Sequence, residues 1–223
     1  MKNILEYLEA AAAVFPEKTG FTDPDRDAEF AQVMDRSRKA ASSMKDIPAN
    51  SPVAIVIDRS VRCIEAMFAA VYAGCFYTVI DVHSPVSRIS DIFSKLRPAA
   101  VMTDSSCLSL TGEVLEGCSM QDLTVIVYED AVSCPEDTEF ISSVRASMID
   151  TDPLYVLFTS GSSGKPKGTV VSHRSVISYT DWVSTEFGFD ETTVFGSQAP
   201  LYFSMSVTDL FSTIRCGCTY SII

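Results

Sequence analysis

"FTSGSSGKPKGTVVSH", Phe158 to His173, is the stretch on which the reading of this chain turns. It is crowded with Gly, Ser, Thr and Lys, yet the apolar run "LYVLF" (154–158) precedes it and "TVV" (169–171) lies inside its end. Both runs read as buried strands. Ser172 then offers an N-cap for the helical pattern "HRSVISYTDWVSTEF". The segment therefore joins two strands, and the helix starts only after the second. A simple hairpin turn needs about two to five residues, so this longer connection calls for another explanation. Gly161, Gly164 and Gly168 open backbone angles closed to other residues, and successive N–H groups can then converge on one anion. Thr159, Ser160, Ser162 and Ser163 add hydroxyl donors; Lys165 and Lys167 add charge. That set suits a polyphosphate, while a solvated hairpin tip is the alternative that composition leaves open. A Walker A loop does not fit: Gly161 and Gly164 stand too close together, Lys165 is followed by Pro166, and a strand follows where a helix is needed.

Outward from this stretch the chain alternates strands and helices. "PVAIVI" (52–57) is a continuous apolar run of the kind buried on both faces. Ser60 caps a predicted helix whose inner face is Val61, Ile64, Met67, Phe68 and Val71, with Gly74 as its stop. "FYTVI" (76–80) is the next strand; Ser84 and Pro85 then predict a cap and first helical residue ahead of Ile89, Ile92, Phe93 and Leu96. "AAVMTD" (99–104) and "TVIVY" (124–128) are further strands. Helices are expected over 4–14 and 28–44, and the acidic stretch 129–152 reads as a surface connection. The fold class is α/β, a parallel sheet flanked by helices.

Composition narrows the function. The chain has 223 residues and a net charge of −12, which argues against nucleic acid or an anionic membrane as partner. No run approaches the roughly 18 apolar residues of a spanning helix, and Glu6 and Glu9 interrupt the N-terminal apolar segment, so a cytoplasmic location is expected. Seven scattered cysteines without a CxxC pair agree with reduced thiols; Cys216 and Cys218 alone make a poor metal site. His173 and His83 read as structural and turn residues, and Trp182 as part of a helix core.

Thr159 to Gly168 resembles, at every position, the phosphate-loop signature of the adenylate-forming superfamily, Thr-Ser-Gly-Ser/Thr-Thr/Ser-Gly-x-Pro-Lys-Gly. That superfamily includes acyl-CoA synthetases, luciferases, nonribosomal peptide adenylation domains and D-alanine–carrier protein ligases. "AGCFYTVIDVHSPVSRI" (73–89) is similar to a second family segment, departing from it at Cys75, Thr78, Val79 and Val82. "FGSQAPLYFSMSVTDLFSTIRCGCTYSII" (195–223) resembles the family's substrate-pocket segment, nearest to amino-acid adenylation domains and D-alanine ligases.

The resemblance implies ATP-dependent activation of a carboxylic acid as an acyl-adenylate, followed by transfer to the thiol of CoA or of a phosphopantetheinyl carrier protein. It implies ATP and Mg²⁺ as cofactors, with Thr159, Ser160, Gly161, Ser162, Ser163, Gly164, Lys165 and Lys167 around the phosphates. The pocket residues it implies are Phe203, Ser204 and Ser206. Amino-acid-activating relatives carry Phe-Asp-x-Ser here, and Ser204 replaces the Asp that pairs with the α-ammonium. Either the acid lacks an α-amino group or another carboxylate takes over, with Asp209 a candidate that could equally face solvent or cap a helix. Family members are longer. Residues 1–223 are therefore expected to be a partial adenylation domain, truncated before its C-terminal half and its catalytic residues, inactive alone and leaving an apolar sheet edge exposed. An acyl- or aryl-CoA ligase fragment and a non-catalytic nucleotide-binding module are the competing readings.

Overall fold

A computed structural model describes residues 1–160 and 166–223. Its strands are β1 (Thr19–Thr22), β2 (Asp27–Glu29), β3 (Pro52–Val56), β4 (Phe76–Val79), β5 (Ala100–Thr103), β6 (Thr124–Val127), β7 (Pro153–Ser160), β8 (Pro166–Ser172), β9 (Val194–Ser197) and β10 (Thr219–Ile222). Its helices are α1 (Leu5–Val14), α2 (Phe30–Ser42), α3 (Val61–Tyr72), α4 (Val86–Leu96), α5 (Leu108–Gly117), α6 (Tyr128–Ala131), α7 (Thr138–Ser147), α8 (His173–Phe187) and α9 (Ser206–Cys216).

The strands form two sheets. One runs in the order β6-β5-β3-β4-β7-β8 and is parallel except for β8, which returns antiparallel to β7. The other runs β2-β1-β10-β9, with only β2 antiparallel. Strand β3 shows why the apolar run is continuous. Val53 and Ile55 join the large core on one face, whereas Ala54 and Val56 join a second core on the other. Helices α4 and α5 supply Ile89, Phe93 and Val114 to that second core.

Helix α3 departs from the single inner face expected of it. Every residue of it except Arg62 is buried, because α1, α2 and α7 pack around it as well as β3 and β4. Its Glu65 is fully buried and is held by Arg26 and Tyr128, which both reach Oε2. Burial pushes the Glu65 carboxyl above the usual range, with Arg26 opposing.

Local signals succeed where the side chain acts on its own turn. Ser60 and Ser172 cap α3 and α8 as expected, accepting from the N–H groups of Cys63 and Ser175. Ser84 does not cap α4; its hydroxyl donates to Asp81 Oδ2 at 2.9 Å, and Pro85 occupies the cap position. The stretch 129–152 is not a plain connection. It contains the end of α6 and all of α7, the latter capped by Asp137 and anchored by Ile141. Asp27 to Glu29 is a strand, so α2 starts later than predicted. Trp182 is no core residue: it is 57% exposed on α8, beside Tyr179. Edge strand β9 carries an exposed Val194. All seven cysteines are free, and no group of three or more metal-ligating side chains occurs among the described residues. No helix among them is long and apolar enough to cross a membrane.

Candidate nucleotide and substrate site

Strands β7 and β8 bring the two ends of the Gly/Ser/Lys motif face to face. Phe158 pairs with Gly168, Thr159 with Lys167, and Ser160 with Pro166. Thr159 and Lys167 are both exposed. Of the other predicted phosphate contacts, Gly161, Ser162, Ser163, Gly164 and Lys165 lie outside the described residues.

Gly168 has a different reason for being glycine than the one expected. It sits in an extended strand, and a Cβ there would lie 2.9 Å from Val156 Cγ1 and 3.1 Å from the Phe158 ring. The ring and Val156 fill the place a Cβ would take across the strand pair, although Gly168 itself stays exposed. Gly168→Ala is therefore expected to cost about 1–3 kcal/mol of stability. Urea denaturation would measure this; a loss near zero would show that the ring moves aside freely.

Two clefts open beside this hairpin, at the C-terminal ends of strands where α/β sheets place ligands. One, of about 300 Å³, is lined by Ile80, Asp81, Arg88, Phe158, Tyr202 and Phe203 among others. The other, of about 730 Å³, is lined by Tyr155, Tyr179, Gly196, Gln198, Ser204 and Asp209, with Ala199, Met205, Val207 and Thr208. The three predicted pocket residues thus separate. Ser204 lines the larger cleft, and Phe203 lines the smaller one. Ser206 is buried as the first residue of α9, its hydroxyl donating to the Phe203 carbonyl at 2.8 Å.

Asp209 stands in the same cleft as Ser204, on the first turn of α9. Tyr155, Tyr179 and Gln198 arrive there from three separate elements, and nothing local in the sequence marks them. Tyr179 is fixed by a 2.6 Å hydrogen bond with the Thr208 hydroxyl. His173 lies apart from both clefts' linings. It is 1% exposed, and its Nδ1 accepts from the Ile4 N–H at 3.2 Å, tying the start of α8 to the start of α1. His83 lies in an exposed turn, its N–H donating to Asp81 Oδ1.

A parallel sheet extended by an antiparallel hairpin, with clefts at its strand ends, is the architecture of the N-terminal subdomains of adenylate-forming enzymes. The N-terminal subdomain of Klebsiella oxytoca NpsA in complex with 3-hydroxybenzoyl-AMSN matches it with a TM-score of 0.80 at 18% identity, covering 100% of this chain and 54% of that one. The anthranilate CoA ligase AuaEII in complex with anthranoyl-AMP matches with a TM-score of 0.85 at 17% identity, covering 99% and 45%. These likenesses show the fold.

The family model for AMP-binding enzymes matches residues 8–223, and the chain belongs to that family. Among curated relatives, the D-alanine–D-alanyl carrier protein ligase of Lacticaseibacillus casei (strain BL23) is 27% identical over 218 residues, covering 97% of this chain and 41% of the relative. The corresponding ligase of Staphylococcus aureus (strain MRSA252) is 28% identical over 225 residues, covering 100% and 43%. The chain therefore spans about two fifths of the length of these relatives.

Proposed function

We propose that residues 1–223 form the N-terminal part of an adenylation domain that activates a carboxylic acid, an amino acid or a related acid, at the expense of ATP. The carboxylate attacks the α-phosphorus, the bond to the bridging oxygen breaks, and pyrophosphate leaves. A thiol, from a phosphopantetheinyl carrier protein or from CoA, then takes the acyl group and AMP departs. The observation that carries this reading is the register of β7 and β8, which sets Thr159 opposite Lys167 at the two ends of the Gly/Ser/Lys motif.

In this reading Thr159, Ser160, Gly161, Ser162, Ser163, Gly164, Lys165 and Lys167 surround the β- and γ-phosphates. Hydroxyl and amide donors grip an anion that must later be released as pyrophosphate, and lysine supplies charge where it develops. Mg²⁺ suits such a site because it binds chiefly through phosphate oxygens and water, needing few protein ligands. Ser204 lines the cleft proposed for the acid. The carrier-protein ligases among its relatives support a carrier thiol as acceptor.

Hydrogen–deuterium exchange on the full-length natural protein tests the assignment. Mg·ATP is expected to slow exchange in peptides covering Thr159 to Gly168, and an acid panel is expected to yield at least one substrate in ATP–pyrophosphate exchange. Unchanged protection in those peptides, at nucleotide concentrations that saturate any measured binding, would refute the phosphate assignment.

A further inference from the structure

The larger cleft has one formal charge. Of its lining residues only Asp209 carries an ionisable acidic or basic side chain other than tyrosine, and among the described residues no Lys, Arg or His pairs with it. Two tyrosine rings, Tyr155 and Tyr179, share the cleft, and a ring face attracts a cation. A half-buried carboxylate beside aromatic rings, without a cation of its own, is a receptor for one.

We infer that Asp209 is the specificity-determining counter-charge of this cleft, and that the acid activated here carries a protonated amine which Asp209 binds in the absence of a carboxylate at position 204. This rests on the adenylation reading above and names its substrate class.

The plainer account of Asp209 is that it complements the N-terminal end of α9. A carboxylate serving that role is stabilised in its charged form. The Asp209 carboxyl instead lies above the usual carboxylate range, because desolvation outweighs the help it receives from Ser197. A bound ammonium would reverse that balance, since an opposite charge within reach favours the ionised form. Ser204 is too short and uncharged to take over the task.

The test compares pairs of acids that differ only in a protonated amine: alanine with propionate, β-alanine with propionate, and 3-(aminomethyl)benzoate with 3-methylbenzoate. The readout is the kcat/KM for ATP–pyrophosphate exchange in the full-length protein. At least one amine-bearing member is expected to exceed its partner by about 30-fold or more, the scale of an ion pair in a partly desolvated site. Asp209→Asn is expected to collapse that ratio toward one, with the loss falling mainly on KM. Moving the carboxylate to the other position, in Asp209→Asn combined with Ser204→Asp, is expected to restore the preference for the α-amino acid. A purely structural role for Asp209 would lower both members of each pair together and would overturn the inference.

A preference for the des-amino acids would overturn it too, while leaving the adenylation reading intact. Should no acid support exchange, calorimetric titration with the same amines decides. Binding that disappears in Asp209→Asn upholds Asp209 as the counter-charge for an amine and overturns the claim that the bound amine is an activated acid; no amine binding to the wild-type protein sinks both.

Discussion

Lys167→Met is expected to lower kcat/KM for ATP–pyrophosphate exchange by about 100-fold or more in the full-length protein. Methionine keeps an unbranched apolar side chain and removes the charge. Lys167 is exposed on β8, and its pairing with Thr159 is made by backbone groups that the substitution leaves in place. Among the described residues it forms no ion pair, so no other carboxylate is stranded by its loss. Stability should therefore stay within about 0.5 kcal/mol of wild type. On the proposed assignment the activity loss comes from removing a charge aimed at phosphate oxygens while negative charge builds on the leaving pyrophosphate, where removing one such donor costs about 10²–10³ in rate. Lys167→Arg keeps the charge and should recover part of the activity; its planar head meets phosphate with different geometry. Exchange kinetics that stay within about threefold of wild type, in a folded Lys167→Met protein, would remove this lysine from the phosphate clamp.

How much of this was legible from residues alone depends on how local each cause is. Strands β3, β4 and β5 announce themselves because burial on both faces demands unbroken apolar runs, and edge strand β6 carries a similar run although Thr124 and Val125 are exposed. The β7–β8 pair was readable because two apolar runs flank one contiguous Gly/Ser/Lys stretch. The four-stranded sheet was not. Its strand β1 is only "TGFT", and it pairs with β10 through Phe21 and Tyr220 at opposite ends of the chain. No window of periodicity contains both partners. Strand β9 was missed for the same reason, being four residues long and edge-exposed. Helix α7 hid in an acidic stretch because one buried residue, Ile141, anchors it to the core. Trp182 misled because its size argues for burial, whereas α8 buries His173, Val176, Thr180, Val183 and Ser184 instead.

The cleft shows the same limit. Ser204 could be flagged in sequence by what it replaces, but whether Asp209 shares its space could not. Five positions along a chain that turns from a loop into a helix may end on the same wall or on opposite ones, and only the coordinates put both residues in one cleft.

A second large effect concerns acid stability and His173. Burial holds its imidazole at about 4, below the ordinary value of 6.5; Asp152 and Asp150 oppose this and Arg145 adds to it. The hydrogen bond explains why the neutral form is built in. Nδ1 accepts from the Ile4 N–H, and a proton placed on that nitrogen would set two donors against each other. The neutral histidine therefore contributes stability in full above pH 6.5. As pH falls, the unfolded chain takes up the proton first, and the contribution drains away until the pH has passed through about 4. At about 1.4 kcal/mol per pH unit, this one group accounts for about 3 kcal/mol across that window.

His173→Gln offers the Ile4 N–H an uncharged acceptor and removes the titration. The variant should be less stable than wild type near pH 7.5, and the gap should narrow by about 2–3 kcal/mol by pH 4.5. Carboxylates elsewhere titrate in both proteins and cancel in the difference, and the other histidine, His83, is exposed and common to both. Urea denaturation at half-unit pH steps measures the gap directly. Parallel stability curves would mean that His173 takes up its proton at the same pH in the native protein as in the unfolded chain, so that its burial does not disfavour the charged form. The consequence reaches further than one bond. Helix α1 packs on α9, whose first turn carries Asp209, and Tyr7 of α1 donates to Asp181 of α8 at 2.7 Å. Acid that loosens the α1–α8 junction therefore loosens the support of the helix that lines the cleft.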